Sequence, residues 1–137
     1  MQEKFKRDLK SLSRVFRFID SFFSKHHLDS SKKQEVLLAV EELFTNVLKY
    51  QAKSAKGITI GLRKGNGEVT IRMIIPDTEA FDFTKAKDPD VDLPIELRRP
   101  GGLGIYLTKR MVDRIEFSYR NRTTTITLTK TIGASDA

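Results

Sequence analysis

Three stretches of the chain carry residue types whose spacing can do chemistry. In the segment LAVEELFTNVLKY, Glu42 and Asn46 stand four apart, which on a helix stacks them on one face, with Ala39 about a turn before and Tyr50 a turn after. A carboxylate so placed can accept a proton. A carboxamide oxygen is a neutral ligand for Mg²⁺ that leaves the other positions to phosphate oxygens and water. The same pair also suits the solvated face of any amphipathic helix. The second stretch is Gly101-Gly102-Leu103-Gly104, where small residues let backbone N–H groups approach phosphate oxygens at the positive end of a following helix. It has no Lys-Ser/Thr of a P-loop and no last glycine of a dinucleotide fingerprint, and a plain hinge before a helix would use the same glycines. The third is an acidic stretch that ends on Arg98 and Arg99, guanidinium groups able to meet a terminal phosphoryl group.

These groups must be held by elements, and the periodicity supplies them. Alternation at Phe5, Arg7 and Leu9 suggests a first strand, and the spacing of Leu12, Val15, Phe16, Ile19, Phe22 and Phe23 predicts a helix. The aromatic group Phe16, Phe18, Phe22 and Phe23 reads as core, with Phe18 also a candidate interface residue. His26 and His27 follow with no metal-ligand spacing around them and read as structural or solvated. Ser31 with Gln34 forms a candidate capping box for a second helix, whose core face is Val36, Leu37, Val40, Phe44, Val47 and Leu48. Residues 57–64 and 68–76 alternate as strands around Gly65-Asn66-Gly67, a hairpin signal that turns Thr59, Arg63, Thr70 and Arg72 to the other face.

Residues 77–100 show no period, hold seven acids and three of the four prolines, and predict a long loop. Loops of that length inside a domain are usually functional, so this one is a candidate lid. A third helix is expected through Leu103, Leu107 and Met111, then a last hairpin through Ile115, Phe117 and Tyr119 and through Ile126 and Leu128, and a frayed tail at 133–137. This order predicts an α+β fold, a two-layer sandwich whose mixed, mostly antiparallel sheet is covered on one face by about three helices. With no internal repeat, residues 1–137 read as a single domain.

Composition narrows the chemistry. The 137 residues include nine Phe and no Cys, which leaves room for a real core and excludes a disulfide framework, a thiol nucleophile and a Cys-ligated metal. No apolar run is long enough for a membrane span or a signal peptide, so cytoplasm is the default expectation. The net charge of +7 is spread along the chain without a Lys/Arg block. Such a balance fits an acidic protein partner or a phosphorylated ligand at least as well as nucleic acid.

Taken together, LAVEELFTNVLKY, IIPDTEAFDF, RRPGGLGIYLTKRMVDRIEF and RTTTITLTK resemble the ATP-binding domain of the anti-sigma serine/threonine kinases. That family lies within the gyrase, heat-shock-protein 90, histidine-kinase and mismatch-repair ATPase superfamily, and the resemblance spans almost the whole chain. It implies ATP and Mg²⁺ as cofactors, with Asn46 the metal ligand and Glu42 the base for the attacking hydroxyl, Glu41 being its less favoured twin. It further implies Gly102 and Gly104, with Leu103 between them, near the phosphates, Arg98 or Arg99 as the lid's phosphate contact, and Thr125 beside the adenine. Phe81 and Asp82 look like the family's aromatic-acid pair.

The first glycine motif departs from the family pattern D-x-G-x-x-F, in which the Asp accepts from the adenine amino group. Counted back from Phe81 without a gap, Pro76 takes the Asp position and Thr78 the Gly position. With one deletion Asp77 recovers the adenine role, and Glu79 replaces the glycine. The resemblance therefore implies a kinase that phosphorylates an anti-anti-sigma protein and holds a sigma factor in a partner switch, with a homodimer expected by the same analogy. The altered motif keeps a second reading open, an ATP-independent binding regulator of the same fold. A third, nonspecific DNA binding from the +7 charge, predicts steeply salt-dependent association.

Overall fold

Strand alternation and turn chemistry build the sheet. The computed structural model describes residues 1–50, 54–78 and 108–132, with the Tyr50 side chain left aside. Five strands, β1 (Gln2–Phe5), β2 (Ile58–Gly65), β3 (Glu68–Ile75), β4 (Arg114–Arg120) and β5 (Thr123–Thr131), pair in the order β1-β2-β3-β5-β4. All four pairings are antiparallel. Two helices, α1 (Leu12–Lys25) and α2 (Ser30–Tyr50), join the sheet, and residues 108–111 are also helical.

Both hairpins close on two residues. Gly65 faces Glu68 across Asn66 (φ 55°) and Gly67 (φ 74°), a pair of left-handed residues whose twist matches that of the strands. Arg120 faces Thr123 across Asn121 (φ 52°) and Arg122 (φ 58°). Left-handed backbone is costly for an arginine, so something outside the turn must hold it there.

The first strand lies earlier than the alternation predicts. It ends at Phe5 because Asp8 turns its carboxylate onto the Ser11 N–H (3.1 Å) and starts a 3-10 turn, Leu9–Ser11, that leads into α1. Of the aromatic group, Phe18 takes the core reading and not the interface one: it is buried, edge-to-face with Phe5 at 5.7 Å, while Phe16 is only half-buried. The helix ends when His27 turns left-handed (φ 54°) and the Leu28 N–H reaches the Phe23 carbonyl at 2.9 Å, and His26 stacks on Phe22 at 4.6 Å. The capping box of α2 is replaced by a different cap. Asp29, not Ser31, supplies the carboxylate, accepting from the Ser31 N–H and hydroxyl at 2.8 Å each.

The helix-facing side of the sheet carries Phe5, Ile58, Ile60, Leu62, Val69, Ile71, Met73, Ile75, Ile126 and Leu128, packed with Val15, Ile19, Phe22 and Phe23 of α1 and Val36, Val40, Leu43, Phe44 and Val47 of α2. Fully buried Phe5, Phe22, Phe23 and Phe44 each contribute about 2–3 kcal/mol of transfer free energy. Leu37 and Leu48 lie at the margin of this core. Among the described residues no helix is long and apolar enough to cross a membrane. Beyond Asp77 and Thr78, the expected lid over 77–100 lies outside the described residues, as does the tail 133–137.

Candidate functional site

The residues singled out for chemistry fall on three elements. On α2, Asn46 is 4% exposed, between buried Phe44 and Val47, and Glu42, one turn earlier, is half-buried, as is Glu41. Thr45 back-bonds to the Glu41 and Glu42 carbonyls at 2.9 and 3.2 Å, so its hydroxyl is spent on the helix. Asn46 carries a neutral carboxamide on this buried stretch of α2. Its oxygen suits a hard cation that takes its other ligands from phosphates and water. No cluster of three or more His, Asp or Glu able to hold a metal occurs among the described residues.

Just past the end of β3, Asp77 sits in left-handed backbone (φ 57°). Its carboxylate is exposed and accepts from the Arg122 guanidinium at 3.1 Å. Hydrogen bonds from Ser54 and then Arg122 hold its carboxyl below the usual carboxylate range. Arg7 donates to the Pro76 carbonyl just before it.

Thr78 is 2% exposed and satisfied on every side. Its hydroxyl lies 2.6 Å from that of Thr124, its N–H reaches the Arg122 carbonyl at 2.8 Å, and its own carbonyl accepts from the Tyr119 hydroxyl at 2.9 Å. These bonds lash the end of β3 to the β4–β5 turn, and they are what holds Arg122 in its costly conformation. Thr125 stands on β5 between Ile74 and Ser118, on the sheet face turned away from the helices. Thr124, Ile126 and Leu128 point the other way, into the core side. Arg98, Arg99, Gly102, Leu103 and Gly104 lie outside the described residues, as do Glu79, Phe81 and Asp82.

Sequence reasoning missed two polar links. One is the Thr78–Thr124–Tyr119 knot. Its signal was available in part, because Ile126 and Leu128 facing inward forces Thr124 inward too. The other is Lys130, 8% exposed at its side chain, whose ammonium donates to Glu35 of α2 at 2.6 Å and to the Met111 carbonyl at 2.7 Å. It ties α2, the helical residues 108–111 and β5 together. Asp113 reinforces that corner by accepting from the Thr131 N–H at 2.6 Å, the main reason its carboxyl is held low.

The histidine kinase-like ATPase domain family matches residues 5–130. The chain is 30% identical over 121 residues to the serine-protein kinase RsbW of Staphylococcus aureus strain RF122, covering 83% of this chain and 75% of that protein. Among solved structures, the RsbU and RsbW domains of Rv1364c from Mycobacterium tuberculosis superpose with a TM-score of 0.70 at 15% identity, over 96% of this chain. The chain spans only 32% of that longer structure. The Acinetobacter baumannii histidine kinase AdeS gives a TM-score of 0.55 at 14% identity, over 97% of this chain and 68% of that one.

Proposed function

Because the chain belongs to the histidine kinase-like ATPase domain family and is a relative of serine-protein kinase RsbW, we propose that it is an ATP-dependent protein serine kinase. Its substrate in this reading is an anti-anti-sigma protein, and it holds a sigma factor in alternation with that protein. The single observation that carries the proposal is Asn46, a carboxamide buried on α2 one turn after Glu42 on the same helix face.

In this reading Mg²⁺-ATP supplies the phosphoryl group and the charge that neutralises it in transfer. Asn46 would hold the metal through its amide oxygen, from a helix whose core packing fixes the residue's position. Glu42 accepts the proton of the substrate hydroxyl. The Gly102-Leu103-Gly104 backbone and Arg98 or Arg99 are assigned to the phosphates. At the base, the place given to Thr125 passes to Thr124, which shares the helix side of the sheet with the end of β3. Glu35, tied to Lys130, lies eleven residues before Asn46, about 16 Å along the helix. Thr124 lies six residues before Lys130, about 20 Å along the strand. Run antiparallel to β5 from that clamp, α2 would carry Asn46 toward Thr78 and Thr124.

A specific observation favours a second reading. Asp77 is engaged by Arg122 through Oδ1, and the Thr78 hydroxyl by that of Thr124, so both candidate acceptors for an adenine amino group already serve the β4–β5 turn. A regulator that binds its protein partners without nucleotide would look the same. Calorimetric titration with Mg²⁺-ATP decides between them. The kinase reading expects binding that Asn46→Ala abolishes, and phosphate transfer to a serine that Glu42→Ala abolishes while nucleotide binding survives. Absence of binding up to millimolar Mg²⁺-ATP sinks it in favour of the nucleotide-independent regulator.

A further inference from the structure

The outer edge of β1 is open among the described residues. Met1 and Leu62 exchange both backbone hydrogen bonds, at 3.2 and 2.8 Å. Bonded pairs alternate in an antiparallel ladder, so Glu3 with Ile60 and Phe5 with Ile58 also face β2, and the N–H and C=O groups of Gln2 and Lys4 point outward. Both residues are exposed. Beside that edge, on the helix side, lies a concavity of about 520 Å³ lined by Glu3, Arg14, Arg17, Phe18 and Ser21 together with Met1 and Gln2. Arg14 is committed to Glu3 at 3.3 Å and lies over the Phe5 ring. Arg17 is exposed and makes no ion pair among the described residues. Lys4 projects from the opposite face of the strand, where it is exposed.

We propose that this edge receives an extended, acidic segment of a protein partner as a sixth strand. The four outward backbone groups supply the main-chain bonds. Alternate side chains of the added strand meet different surfaces: those on the helix side reach Phe18 and Arg17, and those on the open side pass Lys4. The surroundings select for carboxylates, since Lys4, Arg14 and Arg17 stand at this edge against the single acid Glu3, which Arg14 already engages. A second copy of the chain pairing edge to edge would instead set these cationic surroundings against themselves. The proposal does not depend on nucleotide binding and is tested without it.

The probe is a dye-labelled, capped seven-residue peptide of alternating glutamate and valine, titrated against the full chain by fluorescence anisotropy, beside its lysine-for-glutamate counterpart. The acidic peptide should bind at least tenfold more tightly. Binding should slow amide exchange at Lys4, and Arg17→Glu should erase the preference. Lys4→Pro removes an outward N–H that the fold does not use, so it should keep the circular dichroism spectrum and melting temperature while abolishing binding. Binding indifferent to charge, or unaffected by Lys4→Pro, overturns the proposal. So does slow Lys4 exchange in the peptide-free chain that grows with protein concentration, which would give the edge to a second copy.

Discussion

Replacing Lys130 by methionine probes how α2 is held to the sheet. The ammonium makes two short bonds, to the Glu35 carboxylate and to the Met111 carbonyl, at a side chain only 8% exposed. Breaking a fully buried pair by removing one partner costs about 3–5 kcal/mol, because the other charge is stranded away from water. Glu35 is 35% exposed, so its stranded carboxylate is partly rehydrated, and the Met111 carbonyl loses one donor. The expected loss is therefore about 2–3 kcal/mol, or roughly 6–15 °C in melting temperature for a chain of this length. Glu35→Gln keeps the shape and leaves the ammonium its carbonyl, so its cost should be smaller, about 1–2 kcal/mol. Urea unfolding of wild type, both single variants and the double variant closes the cycle. The double variant should cost at least about 1 kcal/mol less than the sum of the singles, as expected for groups in contact. A Lys130→Met variant within about 0.5 kcal/mol of wild type, or additive losses, would refute the clamp.

Two further predictions test the rest of the frame. Thr124→Val strands the Thr78 hydroxyl and should cost about 1–3 kcal/mol, whereas Thr78→Val with Thr124→Val should cost less than the two singles together, measured by the same urea cycle. The carboxyls of Asp29, Asp77 and Asp113 are all held below their ordinary value by hydrogen bonds. Their stabilisation is complete above the unfolded pKa of about 3.9 and is lost as pH falls through the lower folded values. Melting temperature should therefore drop steeply below about pH 4, and Asp113→Asn should flatten that drop while lowering stability at neutral pH; an unchanged slope would count against the Thr131 bond as its cause.

Much of the scaffold follows from local pattern. Alternation at Ile58, Ile60 and Leu62 and at Val69, Ile71, Met73 and Ile75 specifies both strands and their buried face, and Asn66-Gly67 specifies the turn, because these residues tolerate left-handed backbone and few others do. Glu42 and Asn46 share a face by helix arithmetic alone. What local pattern could not decide depends on partners far along the chain. Phe18 is core only because β1 lies beside α1, and Asp77 is engaged because a turn 45 residues later presents Arg122. Arg122 is an arginine in left-handed backbone, which no propensity would place there. The Lys130–Glu35 clamp spans 95 residues and exists because β5 returns between β3 and β4. Periodicity records which face of an element avoids water, whereas the pairing of polar groups across the sheet is set by strand order and register, which only the folded chain fixes.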